Sequence, residues 1–143
     1  MNKVGAERVI NGTFGEMWVD GNYMAETIAL EAKVSLEKTE VNQCGTLAKG
    51  YKVTGIDGKG TVKLNKVSSY FINLLSDNIK KGKTTSVTII SKLDDPDALG
   101  TERVQLNNCV FDELTLVSWE AKKLGEESIA FTFSDWDVLE SID

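Results

Sequence analysis

From Thr27 onward, apolar and polar residues alternate for twelve positions. Leu30, Ala32, Val34 and Leu36 fall on one side, and Glu31, Lys33, Ser35 and Glu37 on the other. Successive side chains leave a strand on opposite faces, so a period of two marks a strand with one buried and one wet face. Most strands run ~5–6 residues, and a stretch over 27–38 therefore predicts an unusually long one. The pattern returns in 59–67, with Val62 and Leu64 inward and Thr61, Lys63 and Asn65 outward. It returns again in Val104/Leu106, in Leu114/Leu116 and in Ile129/Phe131/Phe133. The predicted fold is mostly β with one helix: a mostly antiparallel β domain with a single packed helix.

The helix is predicted after Ser68 or Ser69, with Tyr70, Phe71, Leu74, Leu75 and Ile79 on one face. Lys80 and Lys81 stand in its last turn and Gly82 follows as its stop. Asp20-Gly21 suits a type I′ hairpin turn. Residues 38–48 read as a polar loop, Gly55, Gly58 and Gly60 as a bend, bulge or hairpin tip, and Pro96 as part of an acidic turn. Residues 109–119 read as a paired strand ending in a core Trp119. Nothing divides the 143 residues, so one domain is expected, with an arm and hairpin over 1–22 and an acidic tail over 134–143.

The chain offers little chemistry. It has no histidine, which removes the commonest acid–base residue and metal ligand, and its two cysteines, Cys44 and Cys109, cannot make a zinc site alone. Both thiols are expected reduced. Carboxylate pairs such as Asp94-Asp95 and Glu126-Glu127 arise readily among 22 acids, so a glycosidase reading is weak. Around Lys59, Val53 replaces the first glycine of a phosphate loop and Gly60 replaces its Ser or Thr. Counted from Asp95, a calcium loop would need ligands at Leu99 and Leu106. Asn11-Gly12-Thr13 matches a glycosylation sequon, but the start of the chain lacks a signal-peptide core. No catalytic residue, cofactor, metal or membrane contact is expected.

Charge is unevenly placed. The last 18 residues hold six acids and no base, whereas 49–83 hold eight lysines against Asp57 and Asp77. Both are read as solvated surface, or alternatively as complementary surfaces of a self-assembling protein. An acidic chain of net charge −6 argues against binding duplex DNA by a basic footprint. Trp18 and Trp136, beside loop residues, are candidate anchors for either core or interface.

The phrases Glu31-Ala32-Lys33-Val34-Ser35-Leu36-Glu37-Lys38, Gly60-Thr61-Val62-Lys63-Leu64-Asn65-Lys66-Val67 and Gly100-Thr101-Glu102-Arg103-Val104 carry a family likeness. So does Ile129-Ala130-Phe131-Thr132-Phe133-Ser134-Asp135-Trp136. Together they resemble the tail-tube (core) proteins of contractile phage tails, particularly the PBSX-type prophage family. The resemblance covers nearly the whole chain. It implies a β-barrel-like subunit, an antiparallel β-barrel or sandwich of the phage tail-tube type with a flanking helix, similar to the type VI secretion tube protein. Six copies would form a ring, and rings would stack into a hollow tube inside a sheath. Tail sheath and baseplate proteins are the implied partners, and the bacterial cytoplasm, then the virion or tail-like particle, the implied locations. The expected lumen-facing residues are Glu31, Lys33, Glu37, Lys63 and Asn65. The expected subunit interface is Trp18, Lys49, Lys52, Lys59, Asp135, Trp136 and Asp137. A DNA-conducting tube is expected to have an acidic lumen, whereas these faces are mixed in sign, so DNA passage stays open. The alternative is a monomeric β-barrel module that takes a small ligand or peptide in its mouth.

Overall fold

The computed structural model describes residues 5–143. The first four positions of the arm, part of the stretch read as lacking a signal-peptide core, lie outside the described residues. Strands β1 (Gly15–Val19), β2 (Asn22–Tyr23), β3 (Thr27–Val41) and β4 (Gly50–Asn65) precede helix α1 (Tyr70–Lys80). Strands β5 (Val87–Leu93), β6 (Glu102–Phe111), β7 (Glu126–Phe133) and β8 (Asp135–Glu140) follow it. Every pairing is antiparallel, in the order β2-β1-β5-β6-β7-β4-β3, with β8 added to β6.

The sheet doubles over on itself because β6 serves two partners. Residues 103–107 pair with β8, whereas Val110 and Phe111 pair with β7. Between them Asn108 takes φ +55°, a conformation asparagine tolerates better than most residues. Its Nδ2 donates to Ser134 Oγ at 3.1 Å, fixing the corner where β7 passes into β8. The two halves enclose one core of Met17, Val19, Val62, Ile89, Ile129 and Phe131, all at most 1% exposed. Each such side chain stabilises the fold by about 1.5–3 kcal/mol through burial. Phe71, Phe111 and Phe131 form an edge-to-face series that docks α1 onto it.

The local signals read correctly are those whose geometry is set by near neighbours. Asp20 and Gly21 both have positive φ (48° and 83°), as a type I′ turn requires. After α1 the Gly82 N–H bonds Ile79 O and the Lys83 N–H bonds Asn78 O, the paired contacts of a Schellman stop at Gly82 (φ 70°).

Four expectations need correction. The strand expected over 27–38 continues to Val41, and the polar loop shrinks to 42–49. Gly58 and Gly60 are not a hairpin tip; they lie in mid-strand beneath the rings of Phe133 and Phe131. The strand expected over 109–119 stops at Phe111, and Trp119, expected in the core, is 84% exposed in the 112–125 loop. The acidic tail is no free tail: β8 holds Asp135, Asp137 and Glu140 on an ordered strand.

Candidate functional site

Three surfaces are candidates for function, each following from how the β3–β4 hairpin is held. The first is the wet face of β3, β4 and β7. Cross-strand partners share a face, and the register sets Glu31 opposite Thr61, Lys33 opposite Lys59 and Ser35 opposite Asp57. It then sets Lys63 opposite Ser128 and Asn65 opposite Glu126. The five residues expected on the lumen, Glu31, Lys33, Glu37, Lys63 and Asn65, therefore all stand exposed on one face. Lys59, expected at the interface, joins them. The face is ion-paired: Lys33–Glu31 at 3.0 Å, Lys63–Glu126 at 3.4 Å and Lys59–Asp57 at 3.5 Å.

The second surface is an arm. Strand β7 supports β4 only from Gly58 to Asn65, so beyond Gly58 the β3–β4 pair continues, among the described residues, without a third strand. A register shift at Glu37/Lys38 marks a bulge in this free portion. Its apolar residues find no cover: Leu36 and Ile56, directly opposed, are each 54% exposed, and Tyr51 and Val53 are also exposed. Lys49 and Lys52 lie on the arm, and Cys44 is exposed in its 42–49 loop. Among the described residues β3 pairs, along its whole 15-residue length, with β4 alone, leaving an open sheet edge.

The third is an open groove of about 790 Å³ between β3 and β1, lined by Leu30, Val34, Met17, Val104, Phe133 and Trp136. Leu30 and Val34 pack on the core, but Ala32, expected inside with them, is exposed along this groove. Trp136 meets Phe133 edge-on at 6.4 Å, while Trp18 sits in β1 against Tyr23 at 5.4 Å. Asp135 and Asp137 both accept hydrogen bonds from Asn107 Nδ2, at 3.5 and 3.0 Å. The expected interface residues are thus spread over the arm, the wet face and the β1 and β8 strands rather than gathered in one patch.

The acidic and basic segments do meet, but within one chain. Glu126 pairs with Lys63, and the buried Glu127 with Lys66. The acidic turn acts locally: the buried Asp95 accepts the N–H groups of Asp97 (2.9 Å) and Asn11 (2.8 Å), fastening the arm that precedes β1. Sequence reasoning missed the 112–125 loop, whose Leu116, Val117, Trp119 and Leu124 are 64–89% exposed. The one available signal was the polar punctuation of Asp112-Glu113 before it and Gly125 after it.

A family described as phage tail tube protein matches residues 2–140 of the chain. Phage-like element PBSX protein XkdM of Bacillus subtilis (strain 168) is 39% identical over 139 residues, covering 96% of this chain and 95% of the relative. The fold is similar to a chain of the PVC sheath-tube complex, an extracellular contractile injection system in its extended state, with TM-score 0.71 and 12% identity. That match covers 95% of each chain. A chain of the anti-feeding prophage baseplate, solved with 6-fold symmetry, matches with TM-score 0.63 and 10% identity, over 87% of this chain and 90% of the other.

Proposed function

The chain belongs to the phage tail tube protein family, and on that premise we propose that six copies close into a ring and that rings stack into the inner tube of a contractile phage tail or tail-like particle. The observation that carries this is the β3–β4 hairpin. An open edge of 15 residues and an apolar two-stranded arm are both unfavourable in an isolated subunit, and both are relieved by a second copy. Adding a neighbour's strand to the β3 edge extends the sheet around a ring, with the wet face of β3, β4 and β7 turned to the lumen. The arm then reaches an adjoining subunit and covers Leu36, Tyr51, Val53 and Ile56. The 6-fold symmetry of the anti-feeding prophage baseplate supports the ring count. The PVC sheath-tube complex supports a sheath around the tube, and the same baseplate a partner at its end. Assembly would begin in the bacterial cytoplasm and end in the particle.

The family favours this over a monomeric module with a ligand in the β1–β3 groove. Light scattering and negative-stain microscopy of concentrated protein test the proposal: rings or tubes are expected. Leu36→Glu with Ile56→Glu should leave the melting curve close to wild type and hold the protein at 15.7 kDa. A wild type that stays monomeric at every concentration, with its arm intact, would sink the proposal.

A further inference from the structure

The wet face carries four carboxylates and three lysines, and every lysine on it is matched. Lys33 and Lys59 each pair with an acid two residues earlier on the same strand, at 3.0 and 3.5 Å, and Lys63 reaches Glu126 of β7 at 3.4 Å. The remaining carboxylate, Glu37, lies over Gly55, where a β-carbon would stand 2.8 Å from its Oε2. Elsewhere the matching is incomplete: Lys66, Lys92 and Lys123 have acidic partners. Among the described residues, Lys38, Lys49 and Lys52 of the β3–β4 hairpin and Lys80, Lys81 and Lys83 at the end of α1 form no ion pair.

We infer that this face is a nearly neutral channel wall, with one carboxylate (Glu37) in excess per copy, too weakly charged to hold a polyanion such as nucleic acid or a polycation, so that cargo is admitted by size rather than by charge. The inference rests on the lumen placement proposed above. Two opposite charges 3–4 Å apart present a polymer with a dipole, whose field dies away faster than that of a free ammonium, and salt screens the rest within ~8 Å. A phosphate that took Lys33 from Glu31 would exchange one exposed ion pair for another, each contributing only about 0–1 kcal/mol. The counterion release that drives nucleic-acid binding needs lysines free to engage phosphate. With six copies the compensation repeats around the ring.

The test uses assembled tubes carrying Lys38→Gln, Lys49→Gln, Lys52→Gln, Lys80→Gln, Lys81→Gln and Lys83→Gln, which removes the unpaired lysines named above. A second set adds Glu31→Gln, Asp57→Asn and Glu126→Gln, and a third instead adds Lys33→Gln, Lys59→Gln and Lys63→Gln. Each is sedimented with a fluorescent single-stranded oligonucleotide or a fluorescent oligoarginine peptide across a salt series. The first set should retain no oligonucleotide, and its retention of oligoarginine, which includes the exposed acids outside the face, is the baseline for the third set. The second should retain the oligonucleotide about tenfold more, with a salt dependence, and the third the oligoarginine likewise. Salt-dependent retention of the oligonucleotide by the first set overturns the inference, as does indifference of the altered tubes to both probes. Each altered set decides by its own probe if the other fails to assemble. An absence of tubes in the wild type would count against the assembly proposal instead, so the two failures are distinct.

Discussion

Gly60 lies directly beneath Phe131: the two are register partners on β4 and β7, and a β-carbon built on Gly60 would stand 2.8 Å from Cε1 of the ring and 2.7 Å from the carbonyl oxygen of Glu31. The ring is fully buried and the carbonyl belongs to the β3 backbone, so neither can yield cheaply. Gly60→Ala should cost about 1–3 kcal/mol in a urea melt, the usual range for overpacking. Gly12→Ala, with nothing within 4 Å, should stay within about 0.5 kcal/mol. Adding Phe131→Leu to Gly60→Ala should destabilise by less than the two single effects together, because they share one contact.

Val62 and Val34 both fall on the apolar side of the hairpin, but only Val62 is sealed, at 0% exposure. Val62→Asp places a charge where neither water nor a partner reaches it and should abolish the cooperative thermal transition. Val34→Asp opens onto the β1–β3 groove and should leave a folded, less stable protein. Lys33→Glu, on the wet face, should melt close to wild type. Equal behaviour of Val62→Asp and Val34→Asp in circular dichroism would contradict the half-open sandwich.

Asp95 holds two backbone N–H groups, that of Asn11, 84 residues earlier, and that of Asp97, two residues on. Asp95→Ala should cost about 1.5–3 kcal/mol, as expected for hydrogen bonds to a charged group. It should also raise the rate of limited proteolysis within residues 5–14, with the rest of the chain cut no faster. A proteolysis pattern identical to wild type would show that the arm is held by other contacts.

Burial, aided by the charge of Asp20, pushes the Cys109 thiol up to about 11 from an ordinary 9.0, against a backbone hydrogen bond from Ile89. The folded protein keeps this proton where the unfolded chain loses it. Stability is therefore full below pH 9 and falls as pH rises from about 9 to 11. Cys109→Val should flatten that part of the pH profile in urea melts. A maleimide at pH 8 should label the exposed Cys44 and leave Cys109 untouched until denaturant is added.

Glu127 is 5% exposed, whereas its partner Lys66 keeps 35% of its side-chain surface in water. The two substitutions should differ accordingly. Lys66→Met strands a buried carboxylate and should cost about 3 kcal/mol or more, while Glu127→Gln leaves an ammonium that can turn to solvent and should cost clearly less. Chemical denaturation of the two variants at neutral pH measures the difference; equal losses would mean that the pair is screened by water.

What the sequence determined by itself was everything set by neighbours a few residues apart. The alternation around Val34 and Val62 told which side chains share a face, the Asp20-Gly21 dipeptide its turn, and Gly82 the stop of α1, since each depends on local backbone geometry alone. The residue phrases also carried the family, and the five expected lumen residues do share one face. The tertiary structure decided whether a candidate strand has a partner. Residues 114–117 alternate as well as 129–133 do, yet β7 pairs with β4 along its length while the 112–125 loop has no strand beside it, so Trp119 stands in water. In the same way β8 is a strand because β6 bends at Asn108 and offers it an edge, and Gly58 and Gly60 are glycines because two rings from a strand some 70 residues away close over them. A period of two records the face each residue would take in a sheet; the strand that completes the hydrogen bonds comes from a distant part of the chain, and only folding brings it there.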